Sequence, residues 1–292
     1  MGIGTGGERL VGLPPDRAPG SRSVRDDSAG YLVPVALPQA CWFPDDLVTI
    51  PKYPGKTNEQ FTHLLVHLTL ARSGVAWPVP GGAAPSPPAR PRPSVLDPLA
   101  GRGTTLLTAW RLGCDGFGVE ADDRAFEALA AYVTTYLRRT RRKHAAATAP
   151  VRREGRKLGR RYDAADEATG LTLAVFTGDT RDSAALFGKR RFDAVVADAP
   201  YGVVHGARAT GSARERSPAD LLRAALPVWA GQLRPGGALG LAWNTYGLAR
   251  ADLLDLLSDA GLTPCAGGPW DDLAHRVDSS IRRDLVVAVK PG

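Results

Sequence analysis

The sequence has few cysteines, no long apolar run and no leader of secretory type, and each lack narrows the field. Cys41, Cys114 and Cys265 are odd in number and far apart, without the paired spacing of a zinc site or a disulfide framework. They read as reduced, structural residues, and no metal site is expected. No apolar run approaches the ~20 residues needed to cross a bilayer, and Gly, Pro and Arg stand at the N-terminus where a signal peptide carries its apolar stretch. A cytoplasmic protein is the expectation. A usable G-x-G-x-x-G pattern is missing too: Gly2, Gly4 and Gly7 have the spacing, but no strand precedes them and no apolar helix follows. Acids are missing from one stretch. Between Arg138 and Arg161 eleven Lys or Arg face the single acid Glu154, so this stretch accounts for the net charge of +7. Such local charge is the footprint of a polyanion such as nucleic acid, or else a solvated loop.

What is present reads as one domain with tails and insertions, at 292 residues and 43% hydrophobic composition. Residues 1–45 are expected to form a leader without regular structure, and residues 46–292 the domain. A Pro-rich linker at 76–93 and a basic insertion at 138–162 interrupt it. From Glu59 to Ala71, Phe61, Leu64, Leu65, Leu68 and Ala71 recur at helical spacing. Strands are expected at Ser94–Leu99, Gly116–Glu120, Leu171–Thr177, Phe192–Ala197, Ala238–Trp243 and Leu285–Val289, with a weaker one at Thr263–Ala266. Helices are expected near 104–112, 123–139, 181–187, 217–232 and 250–260. Ser217-Pro218 is a helix start, and Gly113 and Gly261 are helix stops. Strands alternating with helices specify an α/β fold with a doubly wound, mostly parallel sheet. The basic insertion is expected beside that sheet, leaving its core intact.

Three successive strand ends carry acids. Asp97-Pro98-Leu99-Ala100-Gly101-Arg102-Gly103-Thr104 leaves a strand, turns on glycines and opens a helix, which suits a ligand at the carboxyl ends of the strands. About 20 residues on, Glu120 ends the next strand, followed by Ala121, placed to accept hydrogen bonds from ribose hydroxyls. Asp179, followed by Thr180, ends the third and suits an adenine amino group. "DPLAGRGT", "GVE" and "GDT" occur in the order found in class I S-adenosylmethionine (SAM) dependent methyltransferases, and the chain resembles that family. The resemblance implies a seven-stranded Rossmann-like sheet with an antiparallel last strand and SAM as cofactor. By it, Asp97, Pro98, Gly101, Gly103 and Thr104 surround the methionine moiety, Glu120 and Ala121 the ribose, and Asp179 and Thr180 the adenine.

The fourth strand ends in Asp198-Ala199-Pro200-Tyr201. The exocyclic amine of a nucleobase is a poor nucleophile, because its lone pair is delocalised into the ring. A carboxylate and a carbonyl that accept its two N–H bonds hold the nitrogen nearer tetrahedral, and an adjacent ring stacks on a turned-out base. Asp198, the Ala199 carbonyl and Tyr201 supply these groups, with Pro200 between. The segment resembles the Asp-Pro-Pro-Tyr motif of amino-methyltransferases, with Ala199 in place of the first proline. "DAPYGVVHGAR" and "VDSSIRRDLVVAV" are similar to regions of tRNA guanine-N2-methyltransferases, which implies guanine N2 in tRNA or rRNA as substrate. "YPGKTNEQFTHLLVHLTLARSG" is similar to the helix before the Gly loop in N4-cytosine and N6-adenine DNA methylases, which makes Lys56 and Thr57 cofactor neighbours and DNA the second substrate. The basic stretch 138–161 then stands in for an absent recognition region by contacting phosphates. A non-catalytic binder of SAM and nucleic acid and a small-molecule N-methyltransferase are the other readings. His205 reads as a loop histidine, and Val203–Arg216 as a closing segment or a plain loop.

Overall fold

The computed structural model describes residues 22–25, 32–35, 41–75, 92–153, 156–199 and 218–292. Contacts divide the chain into Met1–Ala40 and Cys41–Gly292. In the first unit, within the segment expected to lack regular structure, β1 (Arg22–Arg25) and β2 (Leu32–Val35) form an antiparallel ladder. The second unit begins a little before the expected domain start, because Phe43 is buried and stacks on Trp110 with ring centroids 5.2 Å apart. Gly2, Gly4, Gly7, residues 76–91 of the linker, His205 and the rest of 200–217 lie outside the described residues.

The second unit runs α1 (Asp46–Thr49), α2 (Glu59–Arg72), β3 (Ser94–Asp97), α3 (Thr104–Arg111), β4 (Asp115–Glu120), α4 (Asp123–Arg139), β5 (His144–Arg153), β6 (Arg156–Asp166), β7 (Thr172–Thr177), α5 (Ser183–Phe187), β8 (Phe192–Asp198), α6 (Pro218–Gln232), β9 (Leu233–Asn244), α7 (Arg250–Asp259), β10 (Thr263–Pro264), β11 (His275–Arg276) and β12 (Arg282–Val289). The strands form one sheet in the order β10-β12-β9-β8-β3-β4-β7-β6-β5, with β11 on β12. Strands β7, β4, β3, β8 and β9 are parallel, and β12 enters antiparallel beside β9. This is the expected doubly wound sheet with an antiparallel last strand. Both faces are covered, which is why its strands are apolar without interruption. Val95, Ala194 and Val196 pack with α2 and α3, whereas Leu96, Val195 and Ala197 pack with α6 and α7.

The sheet has ten strands among the described residues, against the seven expected. Two of the extra strands come from the basic insertion, which lies in the sheet and not beside it. β5 and β6 form a hairpin, and β6 pairs antiparallel with β7 from Arg161 opposite Phe176 to Ala165 opposite Thr172. Period-two alternation explains the pairing: Tyr162, Ala164 and Asp166 are buried, and Tyr162 and Ala164 join the core beside Phe126 and Val133 of α4.

Helix α2 turns a different face inward from the one its leucines suggest. Thr62, Leu65, Val66, Thr69 and Leu70 are buried, whereas Leu64 is 42% exposed. Gly240 of β9 sets this rotation. A Cβ there would lie 1.9 Å from Thr69 Oγ1, so helix and sheet meet through a glycine and a threonine whose hydroxyl is satisfied by Leu65 O at 2.7 Å. No described helix is long and apolar enough to cross a membrane.

Candidate functional site at the carboxyl edge of the sheet

The parallel strands all deliver their carboxyl ends to one edge, and β3, β4 and β8 end there in Asp97, Glu120 and Asp198. Asp97 is 2% exposed, with Oδ1 accepting the Leu99 amide at 3.0 Å, so it shapes the turn that opens the Gly loop. Burial pushes its carboxyl up to about 7, the Leu99 amide and the Thr105 hydroxyl oppose this, and the charges of Asp198 and Glu120 add to it. Glu120 joins two loops: Oε2 accepts the Gly101 amide at 2.5 Å and Oε1 the Asp122 amide at 2.7 Å. Its carboxyl is also raised by burial. A carboxylate has about four acceptor positions, so a diol still finds acceptors on this one.

The two loop glycines have different reasons to be glycine. Gly101 (φ +52) has open space where a Cβ would stand, room that a ligand lying over the loop needs. Gly103 (φ +89) caps α3, and a Cβ there would meet Leu129 Cδ1 of α4 at 2.6 Å, so this glycine serves packing. Pro98 is buried in the turn and Ala121 is exposed after β4. Thr104 Oγ1 bonds the Tyr53 hydroxyl at 2.9 Å, tying the segment before α2 to the loop. The Arg102 guanidinium lies 4.8 Å from the Tyr53 ring centroid.

Asp198 is gripped from two sides. Thr57 Oγ1 donates to Oδ2 and the Arg283 guanidinium to Oδ1. Burial raises the Asp198 carboxyl, and the Arg283 charge and the Thr57 hydroxyl pull it back towards ionisation. The Asp198 side chain is 19% exposed and that of Arg283 only 6%. Arg283 stands at the first turn of β12 into the sheet, 4.7 Å from the Phe61 ring centroid. The Ala199 amide donates to Ala242 O of β9 at 2.8 Å. Proline has no such N–H, so alanine holds this peptide by sheet pairing where ring rigidity would otherwise do it. Pro200 and Tyr201 lie outside the described residues.

Two further candidates are engaged by neighbouring residues. Lys56 donates to Val48 O at 2.6 Å and pairs with Glu59, so its ammonium braces α1 against α2. Asp179 caps the turn that follows it and is chelated by Arg181, whose Nε reaches Oδ1 at 2.9 Å and Nη2 reaches Oδ2 at 2.6 Å. The Arg181 hydrogen bonds hold its carboxyl below the usual range. Thr180 is buried and accepts the Trp229 indole N–H at 3.0 Å. Tyr53 lies inside the YPGK segment and Arg283 inside VDSSIRRDLVVAV, but neither residue type by itself marks a site.

No family model and no curated protein matches the chain. Solved structures similar to it include TrmN from Thermus thermophilus, at 16% identity over 84% of this chain and 51% of that one, with a TM-score of 0.46, so the chain spans about half of that protein's length. An rRNA methylase from Streptococcus thermophilus aligns at 11% identity over 82% of this chain and 100% of its own, with a TM-score of 0.43. The magnesium protoporphyrin IX methyltransferase of Synechocystis PCC 6803, crystallised with bound SAM, aligns at 13% identity over 82% of this chain and 86% of its own, with a TM-score of 0.48.

Proposed function

We propose that the chain is a SAM-dependent N-methyltransferase acting on an exocyclic amine of a nucleic-acid base, with guanine N2 in RNA as the leading substrate. The observation that carries this reading is the Asp198 carboxylate, held between Thr57 and Arg283 at the same sheet edge as Asp97 and Glu120. The residues fit SAM on the ribose side: Glu120 keeps acceptor capacity for a diol, and Gly101 leaves open space over the loop. Asp179 fits less well as an adenine acceptor, because Arg181 takes both its oxygens and acceptor capacity is left chiefly on Oδ2. Bound SAM supplies an electrophilic methyl group on a sulfonium.

Every other step belongs to the chain. Thr57 and Arg283 fix the rotamer of Asp198 and favour its charged form, and the carboxylate accepts an N–H of the incoming amine. The Ala199 carbonyl, which follows the peptide N–H anchored on Ala242 O, accepts the second N–H. Together they draw the nitrogen towards tetrahedral geometry and aim its lone pair. Tyr201 stacks on the base. Proton loss from the product needs no dedicated base, because an aminium ion releases its proton to water.

Thr57 favours a second reading. It comes from the segment similar to the helix entry of N4-cytosine and N6-adenine DNA methylases, and it touches the catalytic carboxylate. Incubation with labelled SAM and, separately, tRNA, rRNA and genomic DNA, followed by nucleoside analysis, tests both. N2-methylguanosine from RNA supports the first and methylated adenine or cytosine from DNA the second. No label in any of the three, from protein that binds SAM, defeats both.

A further inference from the structure

The basic stretch is not one surface. Arg142 forms a bidentate pair with the buried Asp166 at 2.8 and 2.9 Å, and Lys143 pairs with Glu167 at 2.8 Å. Arg160 reaches Asp123 and Glu127 of α4 at 2.9 and 2.8 Å, and Arg161 pairs with Asp163 at 2.6 Å. Four of the eleven cations are thus paired with acids, and Arg160 among them ties the hairpin to α4. The others fall at opposite ends of the hairpin.

Strand register fixes which end faces the site. Thr177, the last residue of β7, is level with Glu120 of β4, and Arg160 of β6 donates its amide to Thr177 Oγ1. β6 runs antiparallel to β7, so the hairpin residues outward of Arg160 project past the carboxyl edge that carries Glu120 and Asp198. The outermost rungs pair Arg152 with Lys157 and Arg153 with Arg156. At ~3.3 Å per residue they stand roughly 10 Å beyond the strand ends. Arg138, Arg139 and Arg141 are exposed, but they sit where α4 ends, near the rung of His144 with Asp166, at the opposite edge.

We propose that the tip rungs, Arg152 with Lys157 and Arg153 with Arg156, are the part of the stretch that grips the phosphate backbone, at a fixed distance from the base presented to Asp198, while Arg138, Arg139 and Arg141 take no part. This rests on the reading above and narrows it to polynucleotides. From β8 to the hairpin strands is four to five strand spacings of ~4.8 Å, roughly 20 Å, or about six nucleotide rises of ~3.4 Å. A nucleoside or dinucleotide is too short to reach both places.

The test measures binding of a 20-nucleotide RNA and of a duplex DNA to the full chain across a salt series, alongside SAM binding. Two variants are compared: Arg152→Ser/Arg153→Ser/Arg156→Ser/Lys157→Ser, and Arg138→Ser/Arg139→Ser/Arg141→Ser. Loss of four phosphate contacts is expected to flatten the salt dependence by about 3 in log–log slope and to weaken binding about 100-fold near ~0.15 M salt. SAM affinity stays unchanged, and the second variant binds within about threefold of the parent. If the parent binds and the tip variant binds equally well, or if the second variant is the one that loses affinity, this inference is overturned while the methyltransferase reading stands. If the parent binds neither polymer, or gains nothing when the oligonucleotide is lengthened from two to 20 residues, both fall.

Discussion

Replacing Arg283 with Met removes the cation touching Asp198 Oδ1 and keeps a side chain of similar length against Phe61. Taking one partner from a buried ion pair costs about 3–5 kcal/mol, because the remaining charge stays in a poorly solvated site. At about 2–4 °C per kcal/mol for a domain of this class, the melting temperature drops by roughly 10 °C. The loss depends on pH, and its sign is fixed by the carboxylate. Burial already raises Asp198, and removing Arg283 raises it further. A carboxyl whose folded value lies above its unfolded value is protonated earlier in the folded state, so the penalty is absent below the unfolded value and grows as pH rises through the folded one. The Arg283→Met deficit is therefore largest at neutral pH and shrinks towards pH ~4. Urea titration followed by tryptophan fluorescence reads this, since Trp110, Trp229 and Trp243 are fully buried. Adding Asp198→Asn to Arg283→Met should recover more than half of the loss, with a coupling of about 2 kcal/mol or more. A coupling under about 0.5 kcal/mol, or a deficit that grows in acid, would refute the account of Arg283.

Further expectations concern single sites. Asp198→Ala should abolish methyl transfer and leave SAM affinity nearly unchanged by calorimetry; normal turnover would sink the proposed mechanism. Asp97→Asn keeps the acceptor for the Leu99 amide and removes a carboxyl raised to about 7, so relative to the parent it should gain stability as pH rises from ~4 to 7, by up to about 4 kcal/mol; parallel stability curves would contradict this. Ala199→Pro creates the Asp-Pro-Pro-Tyr sequence but deletes the bond to Ala242 O, and unfolding should show a loss of about 1–3 kcal/mol. Gly240→Ala sets a methyl against Thr69 and should cost about 1–3 kcal/mol, with partial recovery when Thr69→Ala is added; a neutral single variant would mean that the helix does not seat as described.

The parallel core was legible because strands buried on both faces are continuous apolar runs, and because acids at their carboxyl ends stand out against that background. The positions of Asp97, Glu120 and Asp198 at strand ends were legible for this reason. The hairpin was not, since its alternation is carried by Tyr162, Ala164 and Asp166 among Arg161, Asp163 and Ala165, and the charges and small residues obscure a period-two pattern. The inward face of α2 was misread for a related reason: leucine spacing suggests one stripe, but the partner surface, a glycine on β9, selects another. Arg283 was hidden by its position, because a charged residue at the mouth of a buried strand looks like a strand boundary until the carboxylate across from it is known. Lys56 shows what a motif leaves out, since its contacts with Val48 O and Glu59 depend on the packing of α1 against α2.

Because the hairpin joins the sheet along the free side of β7, its length and charge can change without moving any of the loops that carry Asp97, Glu120 or Asp198. Under the proposed function, affinity for a long polymer and the chemistry on one base would then vary independently. Exchange of this arm for one of another length would redirect the protein to other polyanions at an unaltered rate of the chemical step.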